Sequence, residues 1–126
     1  MGLNPGGSLN PQVVSLAGGG PVDLTGPLTY TWETFVDGDD TPDISGGSRF
    51  KTANTAPTTI TDFDNPNANG QVIVVLITDA NTTIQDLSNG SNIRLRGGID
   101  FDFAAYDMLN FEYDGANWVE GDRSLK

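Results

Sequence analysis

Clusters of turn-forming residues punctuate this chain from residue 37 onward and leave room between them only for short segments. The clusters fall at 37–47, Asn65–Gly70, Asp79–Asn81, Ser88–Ser91, Gly97–Gly98 and Asp114–Asn117. Asn-Gly and Asp-Gly accept the positive φ that tight turns demand, so each cluster is a place where the chain reverses. Strands of a few residues, regularly interrupted, are the pattern of a sandwich, barrel or prism. Strands are expected at Arg49–Thr52, Thr58–Phe63, Gln71–Thr78, Thr82–Gln85, Asn92–Arg96, Met108–Tyr113 and Trp118–Glu120. An earlier strand is expected at 28–36, where Leu28, Tyr30 and Trp32 alternate with Thr29, Thr31 and Glu33. The run Val72–Ile77 is apolar at every position, which predicts burial on both sides, at a sandwich centre or a subunit interface. At most one helical turn is expected, at Phe103–Met108.

Two segments echo each other: TANTAPTTITDF, beginning at Thr52, and TDANTTIQDL, beginning at Thr78. Both carry an Asn-Thr turn into Thr-Ile-x-Asp, as stacked β-arcs would, although two copies are too few to make a repeat. Residues 1–27 differ from the rest. They are dense in Gly and Pro and carry a thin apolar set, so they read as an extended N-terminal arm that does not fold alone. The expected organisation is therefore all-β: a compact antiparallel sandwich or barrel-like domain over 28–126, preceded by the arm.

Composition narrows the function classes. Cys and His are both absent, which removes disulfides, thiol nucleophiles, Ser-His chemistry and the commonest general base and transition-metal ligand. The net charge is −11, a surface that repels nucleic-acid backbones and anionic membranes. That charge serves solubility or docking on a basic partner. No basic and apolar leader is visible at the N-terminus, so export through a cleaved signal is not expected. With 37% hydrophobic residues, 16 Gly and 7 Pro in 126 residues, a thick monomeric core is not expected, and association with copies of the same chain would complete it.

The candidate chemistry is weak. Asp37, Asp39 and Asp40, and the loop Asp64–Gly70, space oxygens as calcium ligands can, but lack the glycine and terminal Glu of an EF-hand loop. Solvated turns are the simpler reading. Asp62, Asp64, Asp100 and Asp102 offer carboxylate pairs for glycoside hydrolysis, yet the chain has 17 acidic residues and pairs arise by chance. No catalytic residue, cofactor or metal is expected. Arg94 and Arg96, two apart on one strand, share a face and suit ion pairs between subunits. Trp118 and the other aromatics are core or interface candidates, with a sugar platform the lesser alternative for Trp118. The Asn81 and Asn89 sequons matter only in a secreted chain.

Residues 41–125 carry an ordered series of short motifs: TPDISGGSRFKTANT, TTITDF, NGQVIVV, DANTTI, NIRLRGG and LNFEYDGANWVE. The series resembles a module of phage virion proteins, found at the ends of tail fibre and tailspike chains and in some small head-associated proteins. The resemblance implies a compact β-module that trimerises, without catalysis or cofactor. A short arm ahead of such a module suits attachment to an assembled shell. The first expectation is thus a capsid decoration (cement) protein on the capsid exterior, with itself as a homotrimer and the major capsid protein as partners. Arm contacts would be Val13, Val14, Leu16, Val22 and Leu24. The trimer interface would use Ile73, Val75, Ile77, Leu109 and Phe111 with Arg94 and Arg96. The alternatives are a tail fibre or spike tip binding a host receptor or glycan, and a small glycan-active enzyme using two Asp.

Overall fold

The computed structural model describes residues 30–126. Nine strands follow in chain order: β1 Trp32–Thr34, β2 Arg49–Lys51, β3 Thr58–Ile60, β4 Val72–Leu76, β5 Thr82–Ile84, β6 Ile93–Arg94, β7 Phe101–Asp102, β8 Met108–Tyr113 and β9 Trp118–Ser124. The helical element among the described residues is one 3-10 turn at Leu87–Asn89. It is capped by the Asp86 carboxylate, which accepts the Ser88 N–H, and it ends on left-handed Gly90. The expected helical turn near residue 105 is instead a tight turn with Tyr106 at φ 74°.

The strands form a six-stranded sheet, ordered β1-β2-β4-β8-β9-β6, and a three-stranded sheet, ordered β3-β5-β7. The sheets are mixed, which corrects the expectation of a purely antiparallel fold. β1, β2 and β4 run parallel, as do β3 with β5 and β6 with β9. The parallel pairs have a local cause. The chain passes from β2 in the large sheet to β3 in the small one, then repeats the passage from β4 to β5. The two passages stack in register, Thr58 on Thr82 and Ile60 on Ile84, and they are the two echoing segments of the sequence.

Side chains lock the arcs together. The Asn54 amide donates to the Thr82 hydroxyl at 2.8 Å, and the Asn81 amide donates to the Asn54 carbonyl at 2.9 Å. The Thr78 hydroxyl donates to the Thr52 carbonyl. The Asp79 carboxylate accepts the N–H groups of Asn54 and Asn81 and the hydroxyl of Thr82. Polar residues thus satisfy the backbone where the arcs turn, as buried polar groups require.

The core lies between the sheets. Phe50, Ile73, Val75, Leu109, Phe111, Ile93 and Trp118 enter from the large sheet, and Ile60 and Ile84 from the small one. Phe63 joins the layers, with its ring centroid 5.0 Å from Phe111 and edge-on to Trp118 at 5.8 Å. The Trp118 indole N–H donates to the Phe63 carbonyl at 3.0 Å, so this large ring is buried with its polar atom satisfied. Trp118 is a core residue, not a sugar platform.

β1 is shorter than the expected strand, and its buried side differs. Leu28 lies outside the described residues. Tyr30 is 51% exposed, while Phe35 enters the core and stacks on Phe50 at 5.1 Å. An edge strand pairs on one side only, so period-2 alternation shows two faces without saying which is buried.

Candidate functional site

The run at β4 builds the most distinctive surface. Ile73, Val75 and Ile77 are buried, while Val72 is 48% exposed and Val74 and Leu76 are half-buried. The double burial expected for this run is therefore not found within one chain: one face fills the core and the other faces outward. Register carries the outer face across the sheet. Trp32 lies beside Arg49, Val74 and Asn110, and Thr34 beside Lys51, Leu76 and Met108. Farther along, Glu112 lies between Val72 and Val119, and Arg94 follows Val119. Arg49 and Lys51 both sit over the Trp32 ring, at 5.8 and 5.9 Å from its centroid. The result is an apolar strip edged with cations, the reverse of a surface whose total charge is −11.

The five apolar residues assigned to a trimer interface do not belong to this surface. Ile73, Val75, Ile77, Leu109 and Phe111 are each 0–1% exposed and fill the core of a single chain. They have no area left to offer a partner. The sequence pattern shows that both faces of β4 are apolar, but the small sheet that covers the odd-numbered positions comes from elsewhere in the chain. The even-numbered positions carried the surface signal.

Arg94 and Arg96 are both exposed, with buried Leu95 between them. They rim an open cleft of about 660 Å³ whose walls include Gly97, Gly98 and Ser88. Arg96 lies 3.7 Å from exposed Asp122, a screened contact that contributes little. Beneath them sits a buried ion pair. The Arg123 guanidinium donates twice to the Glu120 carboxylate, at 2.7 and 2.8 Å, and Glu120 also accepts the Arg96 N–H. Arg123 stacks on Phe101 at 4.4 Å. Hydrogen bonding to Glu120 raises its already high pKa, against the effect of burial.

Three of the carboxylates considered for glycoside hydrolysis accept hydrogen bonds from within the chain. Asp62 takes the Phe63 N–H and the Asn92 amide, Asp100 takes the Asp86 N–H and the Asn89 amide, and Asp102 takes the Thr83 hydroxyl. Asp64 takes part through its main chain, in an isolated parallel bridge with Asp43. Asp37 is engaged by Thr55, and Asp39 by the Thr41 N–H, so these carboxylates close turns. Among the described residues, no group of three or more acidic side chains is arranged to hold a metal. Burial opposes ionisation of Asp86, yet the N–H groups of Ser88, Leu95 and Leu87 outweigh it and hold the carboxyl below the ordinary range. Asp79 is likewise disfavoured by burial and held low by Thr52, Asn54, Asn81 and Thr82.

A family model for the phage depolymerase C-terminal beta sandwich domain matches residues 44–119. The chain belongs to that family. The match takes in buried Ile44 through Trp118, the span that supplies all of the core among the described residues except Phe35. As a phage depolymerase C-terminal beta sandwich domain, it is a phage structural protein and a component of the virion. The resemblance read from the motifs of 41–125 is borne out, as is the all-β sandwich. No curated protein matches the chain. The family name points to tail fibres and spikes, and so favours the tail alternative over capsid decoration. The arm contacts Val13, Val14, Leu16, Val22 and Leu24 lie outside the described residues.

Proposed function

We propose that this chain is a non-catalytic terminal module of a phage tail fibre or tailspike, present as a homotrimer and serving host attachment. The observation that carries the reading is the family match laid over the sandwich core. The side chains support it. Three of the four Asp residues that suited bond cleavage, Asp62, Asp100 and Asp102, accept hydrogen bonds from within the chain, while the outer sheet face and the Arg94–Arg96 cleft remain for contact.

Immunogold labelling of intact particles, with antibody raised against the folded chain, tests the location. Gold at the tail supports the proposal, and gold spread over the head overturns it in favour of capsid decoration. Fluorescently labelled protein should stain host cells. Release of reducing ends from host polysaccharide by the purified chain would contradict the non-catalytic assignment.

A further inference from the structure

The outer face of the large sheet differs in charge from everything around it. Four of the six Lys and Arg residues of the chain, Arg49, Lys51, Arg94 and Arg96, lie on this face or at its β6 edge. Against them stand Glu112 and Asp122. Between the cations, Val72 and Met108 are 48% and 39% exposed and Val74 and Leu76 are half-buried. Apolar area of this kind on a sheet face is the mark of a contact surface.

The segment that adjoins this face at β1 is its opposite. Residues 30–48 contain Glu33, Asp37, Asp39, Asp40 and Asp43 and no Lys or Arg. Glu33, Asp39 and Asp43 surround an open depression of about 310 Å³ that also contains Val36, 73% exposed. One surface offers apolar side chains among cations, and its neighbour offers an apolar side chain among carboxylates.

We infer that the outer face of the large sheet docks on the acidic β1 turn of a second copy, head to tail. A face-to-face dimer would bring an excess of cations from both copies onto one interface, Arg49, Lys51, Arg94 and Arg96 against Glu112 and Asp122, and like charges across an interface are costly. A heterologous contact matches the charges instead, and repeated by rotation it closes into a ring. The two surfaces meet at β1, where Trp32 lies on one and Glu33, on the opposite side of the strand, lines the other. The inference deepens the reading of the chain as a self-associating module. Its test does not depend on where the chain sits in the virion.

Sedimentation equilibrium of the full chain provides that test. The wild-type chain should form an assembly of three or more copies whose association weakens as salt rises. The double variant Arg49→Glu with Lys51→Glu should associate at least ten times more weakly, and so should Glu33→Lys with Asp40→Lys. The quadruple variant should recover to near the wild-type value, because its charges are complementary again. The Glu33 and Asp40 side chains make no hydrogen bond or ion pair among the described residues, so that double variant keeps the fold, and circular dichroism melting verifies it. A monomeric wild type, a closed dimer, indifference to Glu33→Lys with Asp40→Lys, or a folded quadruple variant that stays apart would each overturn the inference. So would a monomer whose sheet face is occupied by an acidic polymer instead.

Discussion

At the residue scale, the polar interior does more for this domain than its modest apolar content suggests. The Glu120–Arg123 pair is the clearest case. Glu120 is fully covered and accepts from two chain segments at once, so it ties β9 to the turn after β6. Arg123→Ala should cost about 3–5 kcal/mol by leaving the Glu120 charge buried and unpaired. Replacing both residues with Leu should cost far less, since the charges leave together. Urea unfolding of the single and double variants checks this. Asp79 and Asp86 set the acid limit. Their carboxyls are held below the ordinary value in the folded chain, so near that value the unfolded chain binds more protons. The stability they contribute is complete above about pH 4 and drains away as the pH falls through the lower folded values. Urea midpoints should hold steady from pH 7 to about 5 and drop below about 4, and Asp79→Asn with Asp86→Asn should flatten that drop. Little of this was legible in the sequence. An Asp in a turn and an Asp capping a buried loop look alike until the chain folds N–H groups onto one of them.

At the scale of elements, legibility was better and uneven. Eight of the nine strands stand within or across the expected segments, because turn chemistry and apolar alternation are local properties. β7, two residues long, left no periodicity to find. Pairing partners are not local, and so the parallel arrangement was missed while its cause, the echo between Thr52 and Thr78, was in view. The apolar run at β4 revealed two apolar faces but not which of them the small sheet covers. The stacked arcs hinge on Asn54. Its side-chain Oδ1 accepts the Gly38 N–H and its side-chain Nδ2 donates to the Thr82 hydroxyl, in a site that is 6% exposed. Asn54→Ala should cost about 1–3 kcal/mol by stranding those partners. Hydrogen exchange should quicken at Thr58, Thr82 and Gly38 together, because one side chain serves both arcs.

At the scale of the whole molecule, the sandwich closes on itself. Among the described residues, every buried apolar residue of the core lies within the span Phe35 to Trp118, between the two sheets. Fifteen buried apolar residues are thus gathered within one chain, more than the expectation from its modest apolar content. A chain starting at Thr31 should melt in one cooperative transition near the temperature of the full chain, as calorimetry can show. The position of β9 has a further consequence. β9 follows the other eight strands in chain order yet is an interior one, inserted between β8 and β6, and it brings Trp118 with it. Until residue 118 has left the ribosome, Ile93 has no neighbour in the large sheet and Phe63 faces a gap. Pairings between distant segments form slowly, so nascent chains halted before that point should be digested by protease. A few more residues of synthesis would convert them to a resistant form.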